Sequence, residues 1–140
     1  MNILKCKKKG QSGFGEVYKI KEKETDQLYA AKISLTPITS NSQAEILNLS
    51  REVNSNASMI HPTILKFIGY SSTSFNNEPN PVIISEYASN GSLSNVIDLE
   101  SHESSEIIWN DTKKLINIYG ISSGMKYLHK NKILHRDLKS

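Results

Sequence analysis

The sequence predicts an α+β fold. Short alternating stretches rich in Val, Tyr, Ile and Ala fill the earlier part of the chain, a continuous apolar run, Val82-Ile83-Ile84, follows, and a segment with apolar residues at helical spacing lies near the end. Strands first and helices afterwards is the order of a layered mixed protein, whereas a parallel sheet alternates the two. Hydrophobic residues make up 37% of the 140 residues and charged residues 22%, which is enough apolar material for a core and excludes disorder along the whole chain.

Taken in order, Lys5, Lys7, Lys8 and Lys9 form a basic run ahead of Gly10 and account for much of the net charge of +3. Such a run can touch nucleic acid or acidic lipid, but no aromatic residue interleaves it, so a solvated strand face is the better reading. Glu16 to Ile20 and Leu28 to Ile33 are strand patterns separated by a polar segment, which together read as a β-hairpin. Between Ser40 and Met59, Ile46, Leu49 and Val53 recur at helical spacing, although Asn54, Ser55, Asn56 and Ser58 weaken a helix. Pro62 ends that element, and Ile64 to Tyr70 is extended. Ser71 to Pro81, rich in Ser, Asn and Pro, predicts a surface loop ahead of the buried strand at Val82. Ser92 to Leu99 predicts a short helix. From about Asp111 to Lys130, Leu115, Ile118, Ile121, Met125 and Leu128 line one face of a longer one.

Cys6 is the single cysteine, so no internal disulfide forms, and it carries no metal-ligand pattern; a reducing compartment fits. Met1-Asn2-Ile3-Leu4 followed by lysines is no signal-peptide core, and no apolar run approaches the length of a membrane span. A cytoplasmic protein is expected, and triplets such as Asn90-Gly91-Ser92 then read as chance rather than glycosylation sites.

Gly10-Gln11-Ser12-Gly13-Phe14-Gly15 is a glycine-rich turn, in which the missing Cβ atoms let backbone approach a phosphate. A Walker loop would end in Gly-Lys-Ser/Thr, and Glu16 follows instead; a dinucleotide fold would continue as a helix, and the alternating Glu16-Val17-Tyr18-Lys19-Ile20 follows instead. The turn therefore reads as a flap between antiparallel strands. Lys32, after Leu28-Tyr29-Ala30-Ala31, would alone be a solvated lysine. Its place behind the flap favours a cleft cation, and Glu52 on the next helix is a candidate counter-charge, or else an ordinary surface contact. Near the end, Ile133-Leu134-His135-Arg136-Asp137-Leu138-Lys139 follows the long helix after a short turn, which places Asp137 in a loop where a carboxylate can orient a hydroxyl.

In that order the set resembles the eukaryotic protein kinase family across essentially the whole chain: the glycine flap, Ala30-Ala31-Lys32, Glu52 nine residues before His61-Pro62, Ser85-Glu86-Tyr87-Ala88, Asn90-Gly91-Ser92-Leu93, Tyr127-Leu128-His129 and His135-Arg136-Asp137-Leu138-Lys139. The resemblance implies an amino-terminal lobe of five antiparallel strands and one helix with its hinge over residues 1–88, and the first helices of a larger lobe over 89–140. It implies that Gly10, Gly13 and Gly15 cover the phosphates of ATP, that Val17 and Ala30 enclose adenine, and that Lys32 holds the α- and β-phosphates and pairs with Glu52. Glu86 and Ala88 would supply hinge hydrogen bonds, with Ser85 a small gatekeeper. Asp137 would be the catalytic base or would orient the substrate hydroxyl, with His135 and Arg136 supporting the loop, and Lys139 would assist transfer to a serine or threonine of a protein substrate. Lys139 resembles serine/threonine kinases more than tyrosine kinases, and Asn90-Gly91-Ser92-Leu93, Trp109 and the Ile121 to His129 helix resemble the tyrosine-kinase-like branch.

Two departures stand in the flap: Ser12 replaces the family's second glycine and Lys9 its apolar residue before the first, so weaker nucleotide binding is expected. The family's magnesium ligands, an Asn and the Asp of Asp-Phe-Gly, lie beyond the catalytic Asp, and the chain ends at Ser140 before either. Magnesium is expected for the complete domain, and these 140 residues alone are expected to be inactive, with no metal site and with the apolar face of the last helix wet. At about 25 cal/mol per Å², several such side chains forfeit several kcal/mol, so a poorly folded or aggregating polypeptide is expected. The alternatives are a kinase-like module that binds nucleotide or protein without transferring phosphate, and an α+β domain with coincidental motifs. Substrate, pathway and oligomeric state are not legible, and no nucleic-acid partner or membrane span is expected.

Overall fold

A computed structural model describes residues 3–12, 15–38, 43–101, 110–135 and 138. Five strands, β1 (Ile3–Ser12), β2 (Gly15–Glu22), β3 (Leu28–Ser34), β4 (Phe67–Ser71) and β5 (Val82–Glu86), form one sheet in the order β1-β2-β3-β5-β4, antiparallel throughout. Helix α1 (Gln43–Ser58) joins β3 to β4, and α2 (Leu93–Ser101) and α3 (Asp111–Lys130) follow the sheet. The α+β architecture read from the sequence, a five-stranded antiparallel sheet with one helix and then further helices, is the one observed.

The chain packs as two units. Met1–Ile60 and Leu65–Tyr87 form one; His61–Ile64 and Ala88–Ser140 form the other. In the first, Ile20, Ala31, Val82 and Ile84 are the core, joined by half-buried Ile3, Tyr18, Tyr29, Ile33 and Phe75. Val82 and Ile84 stand at alternate positions of β5, so period two sends both to the core face, as it does Tyr18 and Ile20 of β2.

Three expectations need correction. The glycine-rich segment is mostly strand: β1 continues to Ser12, with Gly10 opposite Val17, Gln11 opposite Glu16 and Ser12 opposite Gly15. The turn itself, at Gly13 and Phe14, lies outside the described residues. The Ser71 to Pro81 segment is anchored rather than merely exposed. Ser74 is buried, its hydroxyl oxygen accepting from the amides of Asn76 and Glu78, and the Asn80 side chain donates to the Ser34 carbonyl at 2.9 Å. Ser and Asn, read as loop formers, close these local bonds and let Phe75 reach the core. Lastly, the face of α3 is not wet along its whole length. Leu115 and Ile118 are exposed, but Leu128 is buried.

Within the second unit, segment 61–64 packs on the later half of α3. The His61 ring lies 4.9 Å from that of Tyr127 and contacts the Ser123 hydroxyl at 3.4 Å, and Thr63 Oγ1 is 2.8 Å from where a Cβ of Gly124 would stand. Asn110 caps α3, accepting the Lys113 amide at 3.0 Å, and Asn131 closes its end. By contrast α1 forms where predicted yet buries none of its residues fully; Ile46 and Leu47 are about half exposed.

Candidate functional site

The register of the sheet sorts side chains onto two faces. Val17 stands opposite Lys32, Lys19 opposite Ala30, and Ala30 opposite Ser85. Paired residues share a face, as do residues two apart on one strand. Val17, Lys19, Ala30, Lys32 and Ser85 therefore line one surface, and the core residues Ile20, Ala31 and Ile84 line the other.

On that first surface Lys32 Nζ is 3.8 Å from Glu52 Oε1 of α1, with the side chains 44% and 50% exposed. So long and so exposed a pair is worth less than about 1 kcal/mol. The ammonium thus keeps donors for a stronger anion. A cavity of about 370 Å³ opens beside the pair, lined by Lys32, Ile83 and, from α1, Glu45, Asn48 and Glu52.

The two described glycines of the flap differ in what they answer to. A Cβ on Gly15 would stand 2.5 Å from the Ile33 carbonyl oxygen, so the fold itself requires glycine there. At Gly10 no atom lies within 4 Å of that position. Among the described residues nothing demands glycine at Gly10, and a residue without a Cβ there leaves room for backbone to approach a ligand.

At the other end of the surface the Glu86 amide donates to the Lys66 carbonyl at 2.9 Å, and the Ser85 hydroxyl donates to the Glu86 carbonyl at 3.3 Å. Glu86 can thus offer an incoming base only its carbonyl. Next to it, Lys19 Nζ and Lys9 Nζ lie 5.2 Å and 6.0 Å from the centroid of the Tyr87 ring. Lys9, flagged in the sequence as a departure, is a cation over an aromatic face. Ala88 belongs to the second unit, where its carbonyl accepts the Gly91 amide at 3.5 Å. His135, also in that unit, is exposed. Gly13, Arg136, Asp137 and Lys139 lie outside the described residues, as does Trp109.

One cluster escaped the sequence reading. Lys8 Nζ approaches Glu16 Oε1 at 2.6 Å, and the Tyr18 hydroxyl donates to Glu16 Oε2 at 2.6 Å. The hydrogen bond to Glu16 raises the pKa of Tyr18, burial adding to it, and the same carboxylate raises that of Lys8. The signal was present in the alternation that sets Glu16 and Tyr18 on one face, but the partner on β1 depends on a bulge that no periodicity reveals.

The donor set suits a nucleotide triphosphate: a half-exposed ammonium on a strand, small residues and Val17 around it, and a glycine strand with open space below Gly10. Magnesium is a different matter. Among the described residues no three His, Cys, Asp or Glu side chains converge as a metal site would require. Among the same residues no helix is long and apolar enough to cross a membrane.

Sheet, flap and Lys32 define a class that the comparisons bear out. A model of the protein kinase domain matches residues 4–140. The chain belongs to the protein kinase domain family. It is 34% identical over 131 residues to the serine/threonine-protein kinase polo of Drosophila melanogaster, covering 93% of this chain and 21% of that protein. It is 31% identical to the Aurora kinase of Saccharomyces cerevisiae, covering 95% and 33%, and 33% identical to the serine/threonine-protein kinase Nek5 of Mus musculus, covering 94% and 19%. The chain thus spans a third or less of the length of these relatives.

Proposed function

We propose that the chain carries the ATP-binding part of a serine/threonine protein kinase, with residues 1–88 as the amino-terminal lobe and hinge and 89–140 as the start of the larger lobe. The observation that carries this reading is Lys32, set on the face of β3 that it shares with Val17, Ala30 and Ser85 and only loosely held by Glu52 at 3.8 Å. ATP supplies the phosphoryl group. Gly10, Gly13 and Gly15 bring backbone close to its phosphates, Lys32 donates to the α- and β-phosphates, and Val17 and Ala30 enclose adenine at the hinge of Ser85, Glu86 and Ala88. Asp137 takes the proton of the substrate hydroxyl as its oxygen bonds to the γ-phosphorus. The bond to the bridging oxygen breaks, ADP leaves, and Lys139 steadies the charge in transfer.

Serine/threonine specificity rests on Lys139 and on relatives bearing that name. The tyrosine-kinase-like branch rests on sequence motifs alone, since the relatives named above bear the names of other kinase groups. A protein substrate and a cytoplasmic location complete the reading. Phosphate transfer from labelled ATP to a serine/threonine peptide, by the complete polypeptide that carries this sequence, tests it: Lys32→Met and Asp137→Asn are each expected to abolish transfer, and retained turnover in both would overturn the assignment. A second reading, nucleotide binding without transfer, is favoured by the loose and exposed pairing of Lys32 with Glu52; it requires ATP binding without turnover in the same polypeptide.

A further inference from the structure

Strand β1 is an edge of the sheet, paired with β2, and its register slips between Lys8 and Gly10. The extra residue, Lys9, interrupts the ladder just where the glycine strand begins. A bulge bends a strand and leaves its far side less firmly paired. The far side here is Gly10, Gln11 and Ser12, the stretch that must be held steady if backbone is to meet a phosphate.

On the β2 side the hairpin is fixed, because Gly15 sits tight against the Ile33 carbonyl of β3. On the β1 side Glu16 does the holding. It stands opposite Gln11, beyond the bulge, while Lys8 and Tyr18 stand opposite each other before it. Its carboxylate reaches back across the slip to the Lys8 ammonium of β1 at 2.6 Å, and the Tyr18 hydroxyl of its own strand holds the other oxygen at 2.6 Å. The Glu16 side chain is 26% exposed and that of Lys8 43%, so water screens the pair only in part. A carboxylate that takes two charge-assisted bonds from two strands fixes geometry more tightly than a single exposed pair would.

We propose that Glu16 is a positioning residue, which through Lys8 and Tyr18 staples the glycine-rich hairpin across its bulge and thereby presets the strand of Gly10 for the phosphates of a nucleotide. It touches no substrate. The proposal rests on the reading of the flap as a phosphate cover, and it carries a consequence which that reading alone does not: loss of the staple costs more affinity for the triphosphate than for the bare nucleoside, because in that reading adenine meets only Val17 of this hairpin and otherwise Ala30 and the hinge.

The test pairs two readouts on the complete polypeptide, for Glu16→Ala, Glu16→Gln, Tyr18→Phe and Lys8→Met. Amide hydrogen exchange reads the staple directly. The amides of residues 10–12 and 15–18 are expected to exchange about tenfold faster in Glu16→Ala, with those of β3 and β5 unchanged. Titration with ATP and with adenosine reads the consequence. ATP affinity is expected to fall about tenfold in Glu16→Ala while adenosine affinity falls much less, with Glu16→Gln, which keeps an acceptor for Tyr18, losing less ATP affinity than Glu16→Ala. Lys8→Met combined with Glu16→Ala is expected to cost no more than Glu16→Ala alone. Should Glu16→Ala fail to fold, Tyr18→Phe removes one bond and no charge and gives the same two readouts in smaller measure. Unchanged exchange in the hairpin, or equal losses for ATP and adenosine, overturns the proposal. Faster exchange in a protein whose wild type binds no ATP leaves the staple standing and sinks the phosphate-cover reading instead.

Discussion

At the scale of the residue, Gly15 and Gly10 separate what the fold needs from what a ligand needs. Gly15→Ala drives a methyl into the Ile33 carbonyl at 2.5 Å and is expected to cost about 1–3 kcal/mol in urea unfolding. Gly10→Ala meets nothing and is expected to leave stability within about 0.5 kcal/mol while weakening ATP binding. The staple adds a pH dependence. Tyr18 and Lys8 both hold their protons more tightly in the folded chain than at their ordinary values of 10.0 and 10.5. Their contribution to stability is therefore complete below about pH 10 and lost as pH rises through the raised values. A phenolate absorbance titration of the wild type minus that of Tyr18→Phe is expected to show a phenol ionising above pH 10. A difference curve with its midpoint at or below 10 contradicts the bond. Lys32 was legible as a site candidate from its place behind the glycine-rich turn, and Val17, Ala30 and Ser85 through the resemblance to the kinase motifs. Lys8 was not, because a one-residue slip decides whether it meets Glu16, and slips are set by the partner strand.

At the scale of the element, burial is uneven and the expected costs follow it. Ile20 is fully buried between β2 and its neighbours, and Ile20→Ala is expected to cost about 2–5 kcal/mol. Ile46 on α1 is 44% exposed, and Ile46→Ala is expected to fall within about 0.5 kcal/mol by the same urea titration. Equal costs would mean that α1 packs far more tightly than the geometry allows. The extent of α1 was legible in the spacing of Ile46, Leu49 and Val53, but its lack of buried residues was not. Spacing reports a face and says nothing of what meets it. The β4 to β5 connection illustrates the opposite limit: Ser, Asn and Pro promised only a loop, yet local hydrogen bonds to Ser74 aim Phe75 at the core. Phe75→Ala is expected to cost about 1–3 kcal/mol, below the figure for a fully buried ring.

At the scale of the whole molecule, the α+β order and the kinase motifs were legible because they lie along the chain, while packing between distant segments was not. Segment 61–64 packs on α3, far along the sequence, at Ser123, Gly124 and Tyr127, while Leu115, Ile116, Ile118 and Tyr119 remain more than half exposed. So much exposed apolar surface on one helix favours association. Light scattering of residues 1–140 is expected to rise with concentration and to fall when Leu115→Lys and Tyr119→Lys are combined; a monomeric wild type with one sharp thermal transition contradicts this. The central claim is that the face of the sheet holding Lys32 binds ATP through its phosphates. Calorimetric titration of the complete polypeptide with ATP, beside its Lys32→Met variant, tests that most directly. The account expects wild-type binding and a loss of about tenfold or more in the variant, as removal of a charged hydrogen bond implies; equal affinities in the two proteins would contradict it.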